Sequence, residues 1–323
     1  MPVFQDGFVL AAEFHDFDSL AEASAGWDVQ FSQVKAGRFS GQGTIASTDQ
    51  VQIVHEVWNS GLLVTGGIPA NTTAICFFRA APPRLRNMRV EFDPHLTGVG
   101  GTPGHEIHLI APGPSEIVTF AIEHRAMESH VRTAYGVDCA TLGRDWWLRP
   151  EPGTPRCAAR AEALLTLQAA LVSGAAATPA ARQRIQQAAL AIAFDGLDIV
   201  PGSEPASLAT RRALARRAED VLRARMDAPP SLAELCGLVG ASQRTLHLAF
   251  AESFGMAPKP YLRALRLNAA RRRLRRGEGT VTQVAADLGF FHFARFSGEY
   301  RELFAELPSD TLRRARAEAG VAA

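Results

Sequence analysis

Residues Ser231–Phe254 read SLAELCGLVGASQRTLHLAFAESF, and this stretch decides the fold of the C-terminal third of the chain. Ser231 followed three residues later by Glu234 is a capping-box pattern, in which each side chain satisfies a backbone N–H of the first helical turn. Leu232, Leu235 and Val239 then form an apolar stripe at helical spacing. Gly240 stands where a short helix needs a left-handed C-cap. Ser242 caps a second helix from Gln243, with Leu246 and Phe250 facing inward, which leaves Gln243, Arg244, His247 and Leu248 on the outer face. Two short helices joined by a tight glycine turn predict a helix-turn-helix, whose second helix presents its N-terminal residues to base edges in the major groove.

The same pattern returns over Thr280–Phe304. Val281, Val284, Ala285 and Leu288 form the stripe, Gly289 makes the turn, and His292–Phe304 reads as the next helix with Phe296 and Tyr300 inward. The small Ala285 lets the two helices cross closely. Between the units, Pro260–Arg276 reads as one helix with Leu262, Leu265, Ala269 and Leu274 toward cores and seven arginines elsewhere. Seventeen residues at ~1.5 Å each give roughly 25 Å. A rod of that length can hold two recognition helices in successive major grooves, about 34 Å apart. Arg271 and Arg272 are the expected phosphate contacts that set register.

Charge agrees with this reading. The chain has a net charge of only +1, yet from Arg211 onward it holds 20 Lys+Arg against 12 Asp+Glu, which leaves 14 against 21 in the first 210 residues. A basic tail on an acidic body is expected of a polyanion-binding protein and argues against general DNA coating.

Ahead of the tail, residues 1–150 read as mostly β, a sandwich or small barrel. Short apolar or alternating stretches (Gln50–Val57, Leu62–Thr65, Ala74–Arg79, Glu106–Ile110, Ile117–Ile122) are separated by Gly and Pro turns. After a Pro/Gly cluster at Pro150–Pro155, Arg160–Val172 and Pro179–Phe194 predict a helical hairpin. Residues 151–200 are thus expected to form a dimerisation or linker segment, and residues 201–205 a linker to a DNA-binding domain over 206–316. The pair Trp146-Trp147 reads as a core anchor at a domain seam.

Four widely spaced cysteines without a C-x-x-C pair argue against a zinc ribbon or a disulfide framework and fit a reducing compartment. No apolar run approaches the ~20 residues of a membrane span, and the N-terminus lacks a basic-then-apolar leader. A cytoplasmic, non-membrane protein is expected.

Leu232–Leu235, Ser242–Leu246, Phe250, Phe254-Gly255, Pro258 and Tyr261–Leu267 resemble the first half of the AraC/XylS family's DNA-binding domain. Val284-Ala285, Gly289-Phe290, Phe296-Ser297, Tyr300, Leu303-Phe304 and Pro308-Ser309 resemble its second half. The runs Arg266–Arg272, Gly289–His292 and Leu303–Ser309 are similar to the ethanolamine-utilisation regulator subgroup. Looser echoes of it lie at Ala36–Gly41, Gly67–Pro69 and Gly104–Ile107. Leu248, Ala294, Gly298 and Ala305 depart from common family residues. The resemblance places DNA contacts at Ser242, Gln243, Arg244, His247 and Leu248 in the first unit, and at His292, Phe293 and Arg295 in the second.

The resemblance further implies a two-domain regulator. An N-terminal cupin-like sensor barrel with a helical hairpin would bind a small-molecule effector, and an all-α C-terminal domain with two helix-turn-helix units would bind a DNA operator. Activation of transcription with RNA polymerase also follows from it. A homodimer through the Arg160–Phe194 helices is expected from their amphipathic pattern, which equally suits packing within the chain. Candidate effector residues are Trp58, Phe77, Arg79, Glu106 and His108. No cofactor or metal is expected. The alternative is a metal-dependent cupin-type enzyme fused to a DNA-binding domain, using His95, His105, Glu106 and His108. No cysteine sits in the Pro-Cys-His-Arg setting that DNA-repair alkyltransferases with a similar tail require.

Overall fold

The computed structural model describes residues 2–24, 26–81, 85–87, 90–92, 98–136, 145–150, 156–194, 197–201 and 206–321. The N-terminal lobe begins with β1 (Val9–Phe14), α1 (Phe17–Ala23), β2 (Asp28–Gln33), β3 (Gly41–Ser47), β4 (Val51–Trp58), β5 (Leu62–Gly67) and β6 (Thr72–Ala80). It continues through β7 (Leu85–Asn87), β8 (Val90–Phe92), β9 (Gly98–Gly101), β10 (Glu106–Ala111), β11 (Ser115–Glu123), α2 (His124–Tyr135) and β12 (Asp145–Pro150). The helical hairpin α3 (Cys157–Val172) and α4 (Pro179–Phe194) follows, then β13 (Leu197–Pro201).

The strands form two sheets. One has the order β1-β3-β4-β11-β6-β9-β12-β13 and the other β2-β5-β10-β7-β8, with antiparallel pairing throughout. Side-chain alternation sorts the larger sheet into two faces. Val54 and Trp58 of β4, Phe78 of β6 and Ile117 of β11 point to the space between the sheets. Val51, Ile53, Ile75, Phe77, Val118 and Phe120 point away and are buried under Cys157, Ala161 and Leu164 of α3 and Ala189, Ala193 and Phe194 of α4. Gln168 fixes α3 in place by donating to the carbonyls of Thr44 (2.9 Å) and Ile53 (2.8 Å).

These contacts bear on two expectations. The apolar stripes of the Arg160–Phe194 helices serve intramolecular packing, since a two-sided sheet must have its second face covered. Leu197–Pro201 is a strand paired with β12 rather than the lead-in to a linker, so the chain returns to the sheet after the hairpin. Residues 202–205, the rest of the expected linker, lie outside the described residues.

The C-terminal lobe is all helical: α5 (Ala206–Ala224), α6 (Leu232–Val239), α7 (Gln243–Phe254), α8 (Pro258–Arg275), α9 (Val281–Asp287), α10 (Phe293–Phe304) and α11 (Pro308–Val321). It packs on the outer face of the smaller sheet, and its hydrophobic clusters continue into the β lobe. Leu63 and Ile110 share one cluster with Leu214, Leu222, Phe250 and Tyr261. Phe17, Leu20 and Phe31 share another with Leu267, Leu274 and Phe304.

Candidate nucleic-acid interface and the cavity behind it

The two helix-turn-helix units are built from local chemistry that can be followed atom by atom. In the first, the Ser231 N–H donates to the Glu234 carboxylate (2.8 Å) and the Glu234 N–H donates to Ser231 Oγ (3.2 Å). Gly240 closes α6 in the left-handed conformation (φ 68°), and Ser242 Oγ accepts from the Thr245 N–H at 3.1 Å to start α7. In the second, Thr280 and Gln283 form the equivalent capping box (2.9 and 3.2 Å), and Gly289 makes the turn at φ 72°. His292 begins α10 without a side-chain cap hydrogen bond.

Leu246, Ala249 and Phe250 are buried, which leaves Ser242, Gln243, Arg244, His247 and Leu248 exposed on one side of α7. In the second unit Phe296 and Tyr300 are buried, while His292, Phe293 and Arg295 are exposed. Arg295 lies against Glu299 at 2.8 Å, one turn on, with three quarters of its side chain open to solvent. Phe291 is 75% exposed, an unusual position for a phenylalanine, and sequence reasoning did not include it among the candidate contacts. Its signal was its place between the turn and the helix, where a side chain has no core to enter. A groove between the start of α8 and α10 is lined by Lys259, Arg263, Phe291, His292 and Arg295.

Arg271 and Arg272 are elsewhere, which corrects their expected role. Arg271 is 4% exposed: Nη2 lies 2.6 Å from Asp16, Nη1 3.2 Å from Asp18, and its guanidinium 4.6 Å from the centre of the Phe17 ring. Arg272 turns to the Phe31 carbonyl and Ser32 Oγ, each at 3.4 Å. Both point into the seam between the lobes, away from the exposed face of α7. Burial opposes ionisation of Asp16, but the Arg271 hydrogen bond and charge outweigh it and hold its carboxyl below the ordinary carboxylate value. Burial and the neighbouring Asp16 push Asp18 up to about 6. One turn earlier on α8, Asn268 and Gln33 exchange hydrogen bonds at 2.8 Å each, which ties α8 to the end of β2.

Behind this seam, the two sheets enclose a cavity of about 110 Å3. Of the five effector candidates, Trp58 lines it with its ring. Glu106 borders it but turns its carboxylate to Arg216 at 3.1 Å. The other three are not part of the lining. Phe77 is on the opposite face of β6, under the helical hairpin. Arg79 is on the same opposite face, paired with Glu116 (2.8 Å) and Glu162 (2.7 Å). His108 faces the C-terminal lobe, buried 3.6 Å from Glu219 and against Phe254. The period-two rule explains these misses, because a shift of one residue along a strand exchanges the cavity for the seam.

The polar lining residues that sequence reasoning missed are Ser24, Glu56, Cys76, Asn87 and Thr119. Glu56 was legible only as the residue two before Trp58, hence on the same face of β4. Burial raises its carboxyl from 4.5 to about 7. Burial likewise raises the Cys76 thiol to about 11, and its Sγ lies 3.3 Å from Thr119 Oγ1. The proposed histidine metal cluster does not converge: His105 borders the cavity, His108 points to the seam, and His95 lies outside the described residues.

Comparison with known proteins bears on residues 235–314, which match the family model described as "Helix-turn-helix domain". The chain is 45% identical over 87 residues to the "XylDLEGF operon transcriptional activator 1" of Pseudomonas putida, covering 26% of each protein. It is 37% identical over 103 residues to the "Probable thc operon regulatory protein" of Rhodococcus erythropolis, covering 31% of each. The match thus spans about a quarter to a third of the length of these curated relatives. A solved structure of a probable AraC family transcriptional regulator from Rhodopseudomonas palustris shares 34% identity, with 32% of this chain and 97% of that one covered, at a TM-score of 0.30.

Proposed function

We propose, from the premise that the C-terminal domain belongs to the AraC/XylS family, that this chain is a sequence-specific transcriptional activator whose β lobe responds to a small molecule. The observation that carries the reading is the pair of capped helix-turn-helix units, each with a buried apolar face and an exposed outer one, which carries Gln243, Arg244 and His247 in the first and His292 and Arg295 in the second. Arg244 and Gln243 supply base readout in the first unit, since Arg pairs with guanine and Gln with adenine. Lys259 and Arg263, at the groove beside α10, supply the phosphate grip that sequence had given to Arg271 and Arg272.

Selection of bound DNA from a random pool by the full chain, at several salt concentrations, tests this. A motif with two blocks about one helical turn apart is expected, and salt-sensitive binding with no motif would remove the claim of sequence readout. Arg244→Ala should relax preference at one base position by roughly 1–3 kcal/mol. An equal loss on every sequence would make Arg244 a phosphate contact instead. The double change Lys259→Ala with Arg263→Ala should weaken binding to all sequences and lower the slope of log affinity against log salt by about 2. An unchanged slope would take both residues off the phosphates.

The facing antiparallel sheets around a cavity support a cupin-like sensor. A physical route from cavity to DNA-binding lobe also supports it. Phe31 lines the cavity, and its strand neighbours Ser32 and Gln33 hold Arg272 and Asn268 of α8. A ligand that binds one placement of β2 more tightly than another would therefore bias how α8 is held, and only that difference in affinity can drive a response.

A further inference from the structure

The cavity has an uneven chemical lining. Its body is apolar, built from residues such as Val54, Val64, Ile107, Leu109 and Ile117. Four aromatic rings, those of Trp27, Phe31, Trp58 and Phe78, also line it. Into it, from the inner face of β4, projects the half-buried Glu56. The Glu56 carboxylate has no hydrogen bond or ion pair among the described residues, and no Lys or Arg belongs to the described lining. Asn87, on the other sheet, also faces the cavity with no hydrogen-bond partner. Trp58, 2% exposed, keeps its indole N–H buried without an acceptor.

An isolated carboxylate taken out of water is costly unless a counter-charge accompanies it. No described residue pairs with Glu56, although salt bridges satisfy carboxylates elsewhere in the molecule, as at Asp16 and Glu219. Aromatic faces around such a group add attraction for a cation through their quadrupoles. The same lining disfavours an anion, which would meet a like charge in a space of low polarity whose described lining holds no Lys or Arg to pair with it. The volume is on the scale of the ~150 Å3 apolar cavity that accommodates benzene, which limits the guest to a short chain or a single ring.

We propose that the cavity binds a small monoamine with an apolar body, its ammonium held by Glu56 among the rings of Trp27, Phe31, Trp58 and Phe78. Asn87, on the opposite sheet, is placed to take a polar substituent at the far end of such a molecule. This identifies the ligand class of the effector site and rests on the sensor reading given above.

The test is calorimetric titration of the full chain with two matched series: butylamine, butanol and butyrate, and benzylamine, benzyl alcohol and benzoate. The amine of at least one series is expected to bind at least tenfold more tightly than its alcohol, and the carboxylate most weakly. Glu56→Gln, which keeps shape and removes charge, is expected to abolish that preference while leaving alcohol binding within about twofold. Its cooperative melt serves as the folding control. Equal or tighter binding of the alcohol or the carboxylate by the wild type, an amine preference that survives Glu56→Gln, or no binding by any of the six overturns the proposal. The preference is read on the wild type alone, so it does not depend on how well the variant folds. Operator affinity measured with and without the amine separates the two claims. Amine binding that leaves DNA affinity unchanged keeps the ligand class and removes the sensor role.

Discussion

Arg271→Ala is expected to destabilise the protein by about 3–5 kcal/mol, the usual cost of removing one partner from a buried ion pair. The guanidinium is the centre of a four-residue arrangement, with Asp16 at 2.6 Å, Asp18 at 3.2 Å and Glu306 at 3.5 Å, and it covers the Phe17 ring. Without it, two adjacent carboxyls face each other in a seam with only Arg275 and Arg272 beside them. The loss falls on the docking of α8 against α1. It should therefore appear as an earlier urea transition and as faster amide exchange in both segments. Restoring apolar complementarity discriminates between a charge effect and a packing effect. Arg271→Met combined with Asp16→Asn and Asp18→Asn should recover most of the stability, because a buried ion pair replaced by matched neutral groups is often neutral or better. The salt slope of operator binding should be unchanged in both variants. A loss below 1 kcal/mol, or a shallower slope, would return Arg271 to the phosphate backbone and undo the assignment made here.

The second large effect is an asymmetry between two glycines with the same job. Both Gly240 and Gly289 turn the chain at positive φ, where any other residue costs about 1–2 kcal/mol. A Cβ on Gly240 meets nothing within 4 Å. One on Gly289 would sit 2.4 Å from the Asp227 carbonyl oxygen and 2.6 Å from Nη2 of Arg266. That arginine already caps the turn through the Leu288 carbonyl and lies 4.2 Å over the Phe290 ring. Gly240→Ala should therefore cost about 1–2 kcal/mol. Gly289→Ala should cost roughly 2–5 kcal/mol, with the added part coming from overlap against backbone that cannot move aside cheaply. Operator binding should fall with it, since the displaced turn carries α10. Paired urea titrations of the two variants decide the matter, and equal losses would mean that the 225–230 segment yields freely.

What could be read from the sequence divides along the same line as local and non-local chemistry. Capping boxes, turn glycines and inward Leu246, Phe250, Phe296 and Tyr300 were legible because each depends on residues within a few positions of itself. Five strands, β4, β5, β6, β10 and β11, were located to within a residue or two by their turns, while β1, β2, β3, β7, β8, β9 and β12 were not singled out. Which face of each strand meets the cavity was not legible: Phe77 and Cys76 differ by one position, and both suit an interior. Nor was the role of the α8 arginines, because Arg271, Arg272, Arg273, Arg275 and Arg276 spread over more than half of the helix circumference. Only Asp16 and Asp18, more than 250 residues away, determine which of them is buried. β13 was hidden for a related reason, since a five-residue strand has meaning only beside its partner β12.

The seam also has a history in time. Asp16 precedes Arg271 by 255 residues, and a ribosome adding roughly 5–20 residues per second needs about 13–50 s to cover that distance. Through that interval α1 and β2 exist without the helix that will cover Phe17 and Leu20. The growing chain must keep this apolar patch from other nascent chains unaided by its eventual partner. An excess of seven acidic charges over the first 210 residues gives it mutual repulsion during that wait. The basic lobe that arrives last both closes the patch and cancels the charge that protected it.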